Sequence, residues 1–153
     1  MATNFKSGDP AFASRLNGTW TSYAVVWSST GTPPAIGNGT ITAAWQRIGD
    51  IFFYSITVIF GSTTTAGTGR WQFSLPLTAK LPFGLTVDGS GQAHSYRPIG
   101  VAEKDGIVLL NGPQLVAIYS NGATPTSNGW PEGLPWANGD VFHLGGWQPV
   151  ETP

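Results

Sequence analysis

GNGTITAAWQRIGDIFFYSITVIFGSTTTAGTGRWQFSLP, residues 37–76, decides the fold class of this chain. Thr40 to Ile48 alternates, Gly49-Asp50 is a two-residue reversal, and Ile51 to Phe60 is a β-branched and aromatic run. Glycine at the first central position of a two-residue loop suits a type II′ turn, whose twist matches the strands it joins. A Gly/Ser/Thr loop from Gly61 to Gly69 leads into a third strand, Arg70 to Leu75, closed by Pro76. The stretch reads as a three-stranded meander. Side chains alternate across a strand, so Phe52, Tyr54, Ile56, Val58 and Phe60 share one continuously apolar face that belongs in the core. The opposite face carries Ile51, Phe53, Ser55, Thr57 and Ile59. Apolar residues on an outward face mark a candidate subunit interface, here Ile51, Phe53 and Ile59.

Working outward, Thr19 to Trp27 (TWTSYAVVW) is an earlier strand, followed by a Ser/Thr/Gly/Pro loop over 28–37. Residues 77–90 form a mixed loop, and residues 92–103 a strand that Pro98 must interrupt or place at an edge. Lys104-Asp105-Gly106 reads as a turn into Ile107 to Leu110, and Asn111-Gly112-Pro113 as a turn into Gln114 to Ser120. A long polar loop, residues 121–140, leads to a last strand from Val141 to Trp147. Six of the seven asparagines, at 17, 38, 111, 121, 128 and 138, precede glycine, the dipeptide of tight turns. About eight short strands with such turns and no substantial helix predict an all-β, antiparallel, two-sheet sandwich of jelly-roll type.

The 153 residues suffice for one domain with a real core. Charged residues make up 10% of the chain, under half the usual ~25%. A net charge of −1, with no basic run, withholds the electrostatic term that nucleic-acid binding rests on. No apolar run approaches the ~18 residues of a membrane span, and no charged start followed by an apolar core marks a signal peptide. With no cysteine, disulfides and thiolate metal sites are excluded.

Residues 1–18 differ from the rest and form a candidate N-terminal arm, with the sandwich over 19–153. Asp9 and Pro10 can start a turn of helix that Asn17-Gly18 ends. Phe5, Phe12 and Leu16 cannot be buried by that turn alone. They either dock on another protein or lie on the domain's own surface.

Catalytic signatures are scarce. His94 and His143 fall on separate strands without metal-ligand spacing, so exposed or hydrogen-bonded strand residues are expected. No G-x-S-x-G elbow or phosphate-cradling loop occurs. Glu103, Asp105, Glu132 and Asp140 are the candidate carboxylates for a glycosidase pair, yet all sit in sequence typical of turns. The expectation is a non-enzymatic protein without metal or cofactor. Asn17-Gly18-Thr19 and Asn38-Gly39-Thr40 match the glycosylation sequon but read as turns. Trp130 and Trp136, in the long loop, could cover a sugar or partner surface or plug the end of the sandwich.

The segments LNGTWTSY (16–23), IGNGTITAAWQRIGD (36–50), FGSTTTAGTGRWQFSLP (60–76) and LPWANGDVFHLGGWQ (134–148) together resemble a domain of tailed bacteriophages, especially those of actinobacteria. That domain recurs at the C-termini of minor tail and tail-fibre-like proteins and in short stand-alone virion proteins. The resemblance covers most of residues 16–148 and is weak between 77 and 130. It implies a β-sandwich head, usually trimeric, on the particle surface, and no catalytic residues. Its matching positions, among them Trp20, Tyr23, Trp45, Trp136 and Asp140, are turn and core determinants. Two roles follow. One is a trimeric capsid decoration protein docked through its N-terminal arm, favoured because no coiled-coil or collagen-like shaft is present. The other is a tail-fibre head that adheres to host surface glycans, favoured by the loop tryptophans.

Overall fold

The computed structural model describes residues 18–80, 89–96, 104–120 and 136–150. Nine strands occur: β1 (Thr21–Ser22), β2 (Trp27–Ser29), β3 (Thr40–Ile48), β4 (Ile51–Ile59), β5 (Trp71–Ser74), β6 (Gly89–Tyr96), β7 (Lys104–Leu110), β8 (Leu115–Ser120) and β9 (Val141–Pro149). Every pairing is antiparallel, and there is no helix among the described residues. The all-β antiparallel expectation holds.

The two-sheet division does not. The strands hydrogen-bond as one sheet in the order β1-β3-β4-β9-β6-β7-β8-β5-β2. Laid flat, its eight steps of ~4.8 Å would hold β1 and β2 roughly 38 Å apart. Yet only Tyr23 to Val26 join these strands, a path of at most ~18 Å. The sheet must therefore curl into a half-barrel, and its two edges are formed by neighbouring pieces of chain. Tyr23 N donates to Ala43 O (3.1 Å), extending the ladder on one side, and Ser74 N donates to Val26 O (3.0 Å) on the other. Between them the Tyr23 hydroxyl donates to Ser74 O at 3.2 Å. Burial, and then the neighbouring Tyr54, push the Tyr23 pKa well above the usual phenol range. The single strand expected over Thr19–Trp27 is thus split, because this segment passes from one sheet edge to the other.

The β3–β4 hairpin forms as expected. Ile48 faces Ile51 across Gly49-Asp50, and Gly49 takes the positive φ (61°) that a primed turn requires. The meander stops there. Instead of pairing with β4, β5 pairs with β8 and β2. The loop before it is zipped to residues 30–39, and that carries the chain across the end of the half-barrel. Ala35 and Thr65 exchange backbone hydrogen bonds, Asn38 Oδ1 accepts from both Thr63 N and Thr63 Oγ1, and Thr68 N donates to Thr32 O. Lys104-Asp105-Gly106 belongs to β7 rather than to a turn. Pairing with β6 overrides the local turn preference, and the period of two continues through buried Gly106, Val108 and Leu110.

Phe52, Tyr54, Ile56, Val58 and Phe60 line the core as the alternation predicted. Aromatic rings fill the end nearest the zipped loops. Trp27 meets Trp71 edge-on at 4.9 Å, and Phe73 stacks on Phe142 at 5.9 Å. Aromatic pairs in such geometries add about 0.5–1.5 kcal/mol each beyond their buried area.

Candidate functional site

The outward face of the sheet concentrates the side chains that sequence reasoning had scattered. Register places Thr42 opposite Thr57, Thr57 opposite His143, His143 opposite His94, and His94 opposite Asp105. One polar row therefore crosses β3, β4, β9, β6 and β7. Two hydrogen bonds tie it together. His94 Nδ1 lies 2.7 Å from Asp105 Oδ1, and His143 Nδ1 lies 3.0 Å from Thr57 Oγ1. An ionised carboxylate only accepts, so the proton between His94 and Asp105 resides on the imidazole Nδ1.

Beside this row the sheet is hollow. Ser55 faces Gly145, and Gly145 faces Gln92, so one position of the next row has no side chain. A depression of ≈ 460 Å³ results, lined by Gln92, His94, Asp105, Ile107, His143 and Gly145 among others. A Cβ built on Gly145 would stand 3.8 Å from His143 Nε2, which places that nitrogen at the hollow. Although the His143 ring reaches solvent, desolvation by the strands around it, and then the neighbouring His94, lower its pKa from the usual 6.5.

Apolar groups flank the polar rows on both sides. Phe53 pairs with Trp147 and Ile51 with Pro149 at one end, and Ile59 pairs with Val141, next to Tyr96, at the other. Ile51, Ile59, Trp147 and Tyr96 are exposed, whereas Phe53 is half-buried. The outward placement of Ile51, Phe53 and Ile59 agrees with the sequence. Trp147 and Tyr96 were not singled out, although strict alternation along β9 and β6 would have put them on the same face.

The remaining candidates divide simply. Trp136 is half-buried against the core, stacked on Phe60 with ring centroids 4.4 Å apart. Asp140 is buried, and its Oδ2 accepts from Ala137 N at 2.8 Å within a turn, as expected of a turn carboxylate. Asp105, by contrast, stands in a strand facing His94, where a sequence search for a His-carboxylate spacing could not connect residues 11 apart. Phe5, Phe12, Leu16, Trp130, Glu103 and Glu132 lie outside the described residues, as does the arm apart from Gly18. Among the described residues, no group of three or more His, Asp and Glu side chains is arranged to hold a metal ion. No helix among the described residues is long and apolar enough to cross a membrane.

No protein-family model matches the chain. No solved structure matches it either. Among curated proteins, it is similar to the Mu-like prophage FluMu defective tail fiber protein of Haemophilus influenzae, at 31% identity over 142 residues. The match takes in 92% of this chain and 22% of that protein, so the chain spans about a fifth of its relative's length. The similarity thus supports a connection with phage tail proteins in general. It lends nothing to the narrower actinobacteriophage type, since this relative belongs to a Haemophilus prophage.

Proposed function

We propose that this chain is a non-enzymatic structural module of a tailed-phage virion and works as part of a tail fibre. The observation that carries this proposal is the similarity over 92% of the chain to a protein named as a tail fibre protein. The outward face supports it physically. Exposed apolar shoulders on both sides of a polar centre suit a surface covered by another copy or by a neighbouring virion protein. We infer a homotrimer displayed on the particle surface. Adhesion to host glycans is the corresponding task, with Trp130 as the candidate contact ring. Capsid decoration ranks second, since the similarity is to a tail protein.

Gold-labelled antibody against the chain, imaged on intact particles by electron microscopy, tests the location. Label confined to the tail fibres is expected, and label spread over the head would overturn the proposal in favour of decoration. Sedimentation of the purified chain tests assembly. A trimer that Phe53→Asp disperses is expected, and a folded monomer at tens of micromolar would remove the interface role.

A further inference from the structure

We propose that His94 and His143 form a two-histidine site for a divalent transition ion of the zinc and nickel class, open to solvent at the hollow beside Gly145.

The two residues face each other directly on neighbouring antiparallel strands β6 and β9. Directly opposed residues hold their Cβ atoms about 4.5–5.5 Å apart. Two imidazoles can then converge on one ion at the ~2.0–2.1 Å that zinc–nitrogen bonds take. The outer partners of the pair are those a ligating imidazole requires. Asp105 holds the proton of His94 on Nδ1, and Thr57 Oγ1 sits 3.0 Å from Nδ1 of His143, able to accept a hydrogen bond from it. The Asp105 contact makes Nε2 the lone-pair nitrogen of His94, and the Thr57 contact does the same for His143 in the tautomer that carries its proton on Nδ1. A carboxylate or hydroxyl behind the ligating imidazole is the usual second layer of a metal site.

The depression at Gly145 supplies the space. Any larger residue there would place carbon beside His143 Nε2, whereas glycine leaves room for an ion and its waters. Two protein ligands leave further coordination positions to water, or to a group from whatever surface meets this face. Imidazole ligands without thiolates favour zinc, nickel and copper over calcium or magnesium, which seek oxygen. The competing explanation is a surface His–Asp ion pair beside an unrelated histidine, which would bind no ion.

Isothermal titration of the full chain with Ni²⁺, repeated with Zn²⁺, tests the site. One equivalent bound per chain, abolished by either His94→Gln or His143→Gln, is expected. Asp105→Asn should weaken binding by roughly 10–100-fold while leaving the two ligands in place. Thermal melts of each variant without metal show whether it remains folded. Resonances of His94 and His143 that broaden on adding Ni²⁺ to the wild-type chain give a readout independent of any variant. Failure to bind either ion below ~1 mM, binding that survives both glutamine substitutions, or broadening centred elsewhere would each overturn the proposal. Tail location, tested on particles, stands or falls separately.

Discussion

Replacing Trp136 by alanine should destabilise the fold by about 2–3 kcal/mol. Its indole stacks on Phe60 at 4.4 Å and 8°, lies 5.2 Å from Trp71, and meets Phe142 edge-on at 6.3 Å. Truncating a fully buried tryptophan to alanine costs about 3–5 kcal/mol. Because Trp136 is only half-buried, the transfer part of that cost falls by roughly half, while the three ring contacts are lost in full. Trp147→Ala is the control, since that ring is 45% exposed on the outer face and its loss should cost no more than ~1 kcal/mol. Urea unfolding followed by far-ultraviolet circular dichroism measures both. The midpoint for Trp136→Ala should fall at unchanged slope, and the melting temperature should drop by about 5–10 °C. A loss below ~1 kcal/mol at constant slope would show that the ring is not a member of the core. A larger loss for Trp147→Ala than for Trp136→Ala would reverse the assignment of the two aromatic faces.

Three further outcomes are expected. Gly49→Ala should cost only the ~1–2 kcal/mol of left-handed backbone, because its φ is +61° and no atom crowds the added methyl. Gly67→Ala should cost clearly more, since its methyl would also run into the Thr32 carbonyl oxygen; matched urea titrations compare the pair. Asn38→Ala should lose about 1–2 kcal/mol by removing the acceptor of Thr63 N and Thr63 Oγ1, with faster amide exchange across residues 61–65 as the local signature. His143 is held below its ordinary pKa in the fold, so the unfolded chain binds more protons between that depressed value and 6.5. Its contribution to stability is therefore present above pH 6.5 and lost as pH falls through the window. His143→Gln should flatten the decline measured by urea midpoints between pH 7.5 and 5, and an unchanged decline would assign it to other groups.

What could be read from the sequence was local. The hairpin at Gly49-Asp50 and the inner face of β4 follow from turn chemistry and a period of two, both properties of adjacent residues. Edge identity was not legible, because nothing near Tyr23 announces that four residues separate opposite edges of the sheet. The meander failed for the same reason. Where β5 goes depends on the zipper between residues 30–39 and 61–70, a set of contacts no local pattern encodes. Lys104-Asp105-Gly106 misled through its composition, since pairing with β6 outweighs turn preference. The row of Thr57, His143, His94 and Asp105 was invisible for a simpler reason. Its members come from four strands, and the bond between Thr57 and His143 spans 86 residues.

The position of β9 has a consequence for synthesis. This last described strand lies fourth in the sheet and pairs along its length with β4, while its other edge receives β6. Until Val141 to Pro149 leave the ribosome, the β3–β4 hairpin presents a bare nine-residue edge and an unroofed face of Phe52, Ile56 and Val58. Nothing before β9 can close that gap, so folding must wait until almost all the described chain has been made. Long sequence separations of this kind slow folding and prolong exposure of edges that aggregate. Ribosome-stalled chains ending before Val141 should therefore remain protease-sensitive, and resistance should appear abruptly once β9 has emerged.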